Sequence, residues 1–183
     1  MRLKSNLSIC KERPQASEVT KLERELCDVL ETIETGEACS LTMFHGSPNT
    51  FGKFEATFFG ASGKTADEPA FFFCDKYAIA RDYALNVISR PPEPSVVTAT
   101  LDLDSVLVID AAEREVSEIP IPRLLENLKN MGHQAIILHN VRDGVFSKES
   151  CTLAIVHTDF VDKINIQARL LPVDLQNANM AID

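Results

Sequence analysis

No stretch of this 183-residue chain approaches the roughly 20 apolar residues that a membrane-spanning helix needs. The opening Met1-Arg2-Leu3-Lys4-Ser5-Asn6 is too polar for the apolar centre of a secretory leader. A soluble protein made in the cytosol, without a membrane partner, is therefore expected. Cysteines are few and unpaired in spacing: Cys10, Cys27, Cys39, Cys74 and Cys151 are odd in number and form no CxxC, which predicts reduced thiols. The four histidines are scattered without ligand spacing, which argues against zinc, and no metal is expected. Positive charge is also short, with 18 Lys and Arg against 27 Asp and Glu and a net charge of −9. Such a chain repels a phosphate backbone, so broad nucleic-acid binding is disfavoured, whereas a basic protein target or a small anion held by backbone amides is compatible. GxGxxG, the Walker loop, GxSxG and HExxH are all missing, which removes the commonest nucleotide-binding and hydrolase routes.

What is present is enough apolar material, 45% of residues, for one domain that needs no staples. Residues 1–16 mix charges around Pro14 and read as a flexible arm, residues 17–170 as the domain, and residues 171–183 as a tail. Val19, Leu22, Leu26, Val29, Leu30 and Ile33 recur at helical spacing, with Ser17 placed to cap that helix and Gly36 placed to end it. Leu41-Thr42-Met43-Phe44 reads as a short buried strand that stops at the turn-forming His45-Gly46-Ser47-Pro48. His45 is thus expected at a strand end facing a cleft, where it carries little packing.

Residues 55–69, with Gly60, Gly63 and Pro69, read as an exposed loop that holds Phe58 and Phe59. Phe71 to Cys74 is an apolar run too short for a helix, hence a buried strand, with Asp75 as cap of a helix from Lys76 to Ile88. In that helix Ala80 and Ala84 allow close packing on a sheet. Arg90-Pro91-Pro92-Glu93-Pro94 stops it. Val96 to Leu103, Val106 to Ile109, Ala135 to Leu138 and Leu153 to Val156 are further strands, and Pro120 and Pro122 open a helix that ends before Gly132. Asn140 to Ser150 reads as a polar loop. Strands outnumber helices and are not each followed by one, so an α+β sandwich is expected rather than a doubly wound sheet.

Four groups of residues then fall into a recognisable order: Phe44-His45-Gly46-Ser47, Phe51 with Phe54, Phe71-Phe72-Phe73-Cys74-Asp75, and Ala80 with Tyr83 and Ala84. Together they resemble the signature of single-domain ADP-ribosyltransferases of the His-Tyr-Glu type, as in phage polyvalent proteins and bacterial toxins. The resemblance spans roughly residues 40 to 165 and implies a split β-sandwich with flanking helices, NAD as cofactor and a protein target. By that resemblance His45 and Gly46 hold the adenosine ribose, Phe72 is a ring of the nicotinamide sandwich, and Ser47, Phe54 and Tyr83 are further cofactor-binding residues. A carboxylate would orient the second ribose and favour its positive charge.

The chain departs from the family at two places. Phe72 stands where the family has Tyr, keeping the stacking face and losing the hydroxyl. Cys151 and Thr152 stand where the family Glu is expected. Glu149, just upstream, and Asp143, in Asn140-Val141-Arg142-Asp143-Gly144, are the candidate carboxylates. Three readings stay open: a mono-ADP-ribosyltransferase acting as toxin, effector or phage counter-defence protein, a degenerate NAD-binding or inhibitory module, and an NAD glycohydrolase.

Overall fold

The computed structural model describes residues 34–36, 38–56, 70–86, 93–143 and 149–170. Alternating and continuous apolar runs form eight strands: β1 (Glu34–Gly36), β2 (Cys39–Ser47), β3 (Ala70–Cys74), β4 (Ser95–Leu103), β5 (Val106–Asp110), β6 (Ala135–Arg142), β7 (Ser150–His157) and β8 (Ile164–Leu170). They join one sheet in the order β1-β5-β6-β7-β3-β2-β4-β8. Two α-helices are described, α1 (Tyr77–Asn86) and α2 (Ile121–Met131). The fold is α+β.

Every neighbouring pair of strands is antiparallel except β5 and β6. A parallel pair needs a crossover, and α2 supplies it. Pro122 sits in the first turn of α2, where a missing N–H costs nothing, and Ile121, Leu124, Leu125 and Leu128 turn one apolar stripe to the sheet. Gly132 ends the helix at φ 77°, and the His133 N–H returns to the Leu128 carbonyl at 3.2 Å, a glycine-dependent C-terminal cap.

Strand alternation divides the core into two layers. Under α1 and α2 lie Ala70, Cys74, Leu107, Ile136, Leu138, Cys151 and Leu153 among others, with Ile79 of α1 packed on them. The opposite face carries Met43, Phe54, Phe71, Phe73, Val97, Leu101, Ile137 and Val156. Phe72 faces away from Phe71 and Phe73 and packs against the α-helical layer.

Two irregularities position the candidate site residues. β2 pairs with β4 along nine residues but with β3 at one, Phe44 opposite Cys74, so the sheet splits beyond that point. β6 carries an extra residue between Leu138 and Val141, with Asn140 at φ 53°. Before this bulge Ile136 and Leu138 face the helices; after it Val141 does, and Asp143 keeps the same sense and is 3% exposed. An unbulged strand would turn Asp143 the other way.

Several expectations are corrected here. Gly36 belongs to strand β1, paired with Val106, and does not end a helix. β2 continues through His45, Gly46 and Ser47, opposite Val97, Val96 and Ser95, because β4 offers a partner to each. Asn140 to Arg142 extend β6 rather than starting a loop. β8 is a strand beyond those expected. The expected helix over residues 17–33, the arm 1–16, Phe58 and Phe59, residues 87–92 and the tail 171–183 lie outside the described residues. No helix among the described residues is long and apolar enough to cross a membrane.

Candidate active site

The split between β2 and β3 is held by a side chain. His45 Nδ1 lies 2.8 Å from the Phe72 carbonyl oxygen, replacing the ladder bond that the diverging strands do not make. A carbonyl only accepts, so Nδ1 carries the proton and Nε2 of the neutral ring is an acceptor. Burial pushes the imidazole below its usual pKa, and the Phe72 carbonyl partly restores it.

The ring is not bare. It stands edge-on to Phe51 and Phe54 at 5.9 and 5.1 Å and is tilted over Phe73 at 5.5 Å. The expectation that His45 carries little packing is thereby corrected: two residues before the end of β2, it is wedged among three rings. Phe54 is itself buried against Phe71 and Phe73. Arg169 of β8 lies over Phe51 at 5.6 Å and donates to the Gly52 carbonyl at 3.0 Å, bringing a cation to this face.

Gly46 is fixed by two constraints. An ideal Cβ there would meet the Ala80 carbonyl oxygen at 1.7 Å, so α1 approaches β2 as closely as a glycine permits, with Ala80 and Ala84 buried alongside. Its backbone also faces the split. The Phe72 carbonyl points to β2 and the Asp75 N–H to β7, where it meets the Thr152 carbonyl at 3.1 Å. Backbone groups alternate between edges, so Phe72 and Cys74 address β2, and Phe44, the partner of Cys74, addresses β3. Two residues on, the Gly46 N–H and C=O point the same way, where β3 gives them no register partner. The hydroxyl of Ser47, by contrast, accepts the Asn49 N–H at 3.2 Å in a local turn.

On the helical side the Phe72 ring lies with Tyr83 against the core under α1. His45 and Phe72 are thus neighbours through ring and carbonyl, while their side chains leave the sheet on opposite faces. The Tyr83 phenol donates to the Asp143 carboxylate, and its pKa is driven up by burial first and by Asp143 second. The second oxygen of Asp143, Oδ2, is buried and has no partner among the described residues. Glu149 is exposed at the entry to β7.

Asp75, expected to cap α1, places Oδ1 3.0 Å from the Thr152 N–H of β7. Beside it Cys74 and Cys151, both 4% exposed, bring their sulfurs within 4.8 Å of each other. Sequence spacing hides this pair, since β3 and β7 become neighbours only through the sheet order; Arg169 is hidden likewise.

A chain in a solved toxin-antitoxin complex aligns with this one. That structure, the M. tuberculosis MbcT-MbcA toxin-antitoxin complex, matches with a TM-score of 0.47 and 9% identity over 80% of this chain and 93% of the other. No protein-family model matches the chain. No curated protein matches it in sequence.

Proposed function

We propose that the chain is an NAD-dependent mono-ADP-ribosyltransferase of the His-Tyr-Glu type that modifies a protein, in the manner of a toxin, effector or phage counter-defence factor. The observation that carries the reading is the β2–β3 split, held open by the His45–Phe72 hydrogen bond. This is also the feature that a split β-sandwich of that family calls for.

The residues present fit a nicotinamide nucleotide. The Gly46 N–H and C=O, turned to the split, complement the acceptor and donors of a primary carboxamide. Phe72 offers a ring face beside it. His45 Nε2 can accept from a ribose hydroxyl, and Arg169 can meet a diphosphate on the same face. Asp143 Oδ2, buried and unpartnered among the described residues, needs a donor, and a ribose hydroxyl supplies one. Its negative charge then favours positive charge developing on that sugar. We therefore assign the carboxylate role to Asp143 rather than to exposed Glu149. NAD bound there supplies the scissile bond to nicotinamide; the chain positions it and stabilises charge.

A second reading, an NAD-binding module without turnover, is favoured by Cys151 standing where the family acid belongs. Incubating the protein with NAD and following nicotinamide release separates the two. Mass-shift detection on lysate proteins then separates transfer from plain NAD hydrolysis. Absence of both binding and release would remove the proposal.

A further inference from the structure

We propose that Cys74, Asp75 and Cys151 form a binding site for a thiophilic divalent cation of the Zn²⁺ or Cd²⁺ class. Their donor atoms all lie within 4.8 Å of one another, and Cys74 Sγ stands 3.7 Å from Asp75 Oδ1. A tetrahedral shell with metal–sulfur bonds of about 2.3 Å and metal–oxygen bonds of about 2.1 Å separates its ligand atoms by roughly 3.5 to 3.8 Å, so the three donors need to move little.

The site is built from two elements that hold each other in place. Cys74 and Asp75 end β3, Cys151 starts β7, and the Asp75 N–H and Oδ1 both bond to Thr152 across the strands. The sulfurs are buried while Asp75 is exposed, which gives two soft anchors inside and a carboxylate at the door. Three protein donors leave one position for water or an external ligand, the pattern of an open rather than a structural metal site.

A cation bound by both cysteines as thiolates releases their two protons and meets the Asp75 carboxylate as a third anionic donor.

The test is titration of the full chain, reduced and metal-free, with Cd²⁺, read by the ultraviolet thiolate-to-cadmium charge-transfer band. A saturable band at a single equivalent is expected, unchanged in a C10S/C27S/C39S variant and lost in Cys74→Ser and in Cys151→Ser. Asp75→Asn, an exposed change that leaves the core whole, should weaken binding roughly tenfold or more, and it decides the matter if either serine variant fails to fold. No band in a reduced wild type, a band that survives Cys74→Ser or Cys151→Ser, or full affinity in Asp75→Asn would each overturn the proposal.

Discussion

Gly46→Ala tests the packing on which the split rests. The added Cβ would lie 1.7 Å from the Ala80 carbonyl oxygen, 2.7 Å from its carbon and 3.0 Å from the Ala84 nitrogen. All three obstructing atoms are backbone, so no rotamer relieves the clash. Ordinary contact begins near 3.4 Å, and α1 must therefore retreat by about 1.7 Å at Ala80. That retreat opens the seam among Ala80, Ala84 and Val96, now at most 3% exposed. Overpacking of this kind costs about 1 to 3 kcal/mol, and with immovable backbone on one side we expect about 3 kcal/mol or more. Against a total of roughly 5 to 15 kcal/mol, a loss of that size is plain in urea unfolding as a lower midpoint at unchanged slope. Adding Ala80→Gly should not rescue the variant, because the obstructing atom is the carbonyl. A change below about 0.5 kcal/mol, the level of an inert surface substitution, or full rescue by Ala80→Gly, would refute the close approach of α1 to β2.

His45→Ala should lose about 2 to 3 kcal/mol, for a hydrogen bond and several ring contacts. His45→Asn, whose amide N–H can still reach the Phe72 carbonyl, should recover part of that stability yet bind NAD as weakly as His45→Ala; calorimetry beside melting curves separates the two roles, and equal NAD affinity in wild type and Asn variant would contradict ours. If the protein turns NAD over, Asp143→Asn should lower the rate at saturating NAD by on the order of 10², while Glu149→Gln stays near wild type; the reverse ranking would move the carboxylate to Glu149. Acidification should destabilise the fold. Burial holds the His45 and His133 pKa values below the ordinary imidazole value, so below about pH 6.5 the unfolded chain takes up protons that the folded one refuses, and stability falls as pH falls. Urea midpoints that hold or rise about one unit below that pH would count against neutral, buried rings.

Strands are legible in the sequence where apolar runs are long or clearly alternating, as in β3, β4 and β5, and α2 is legible through Pro122, its apolar stripe and Gly132. β8 alternates too, Ile164, Ile166, Ala168 and Leu170 against Asn165, Gln167 and Arg169, but as a half-exposed edge strand it lacks the continuous apolar run that marks the others. The end of β2 is hidden because His-Gly-Ser-Pro reads locally as a turn, whereas pairing with β4 through Ser95 overrides that preference. For the site, the residues of the split are nameable from their order along the chain. Their roles are not. Phe72 alternates as expected, yet the use of its carbonyl by His45 is a tertiary fact. Asp143 reaches Tyr83 only because a bulge at Asn140 resets the facing of β6, and no local pattern announces that bulge. The thiol pair depends on β3 and β7 lying side by side.

Amide chemical-shift mapping with NAD addresses the central claim directly, because it reports both whether the nucleotide binds and where. We predict saturable shifts centred on His45, Gly46 and Ser47 and on Phe71 to Phe73, the two lips of the split, and the same Gly46 shift with nicotinamide alone. Shifts confined to another surface, or none at NAD concentrations that saturate a control enzyme, would contradict the assignment of the β2–β3 split as a nicotinamide nucleotide site.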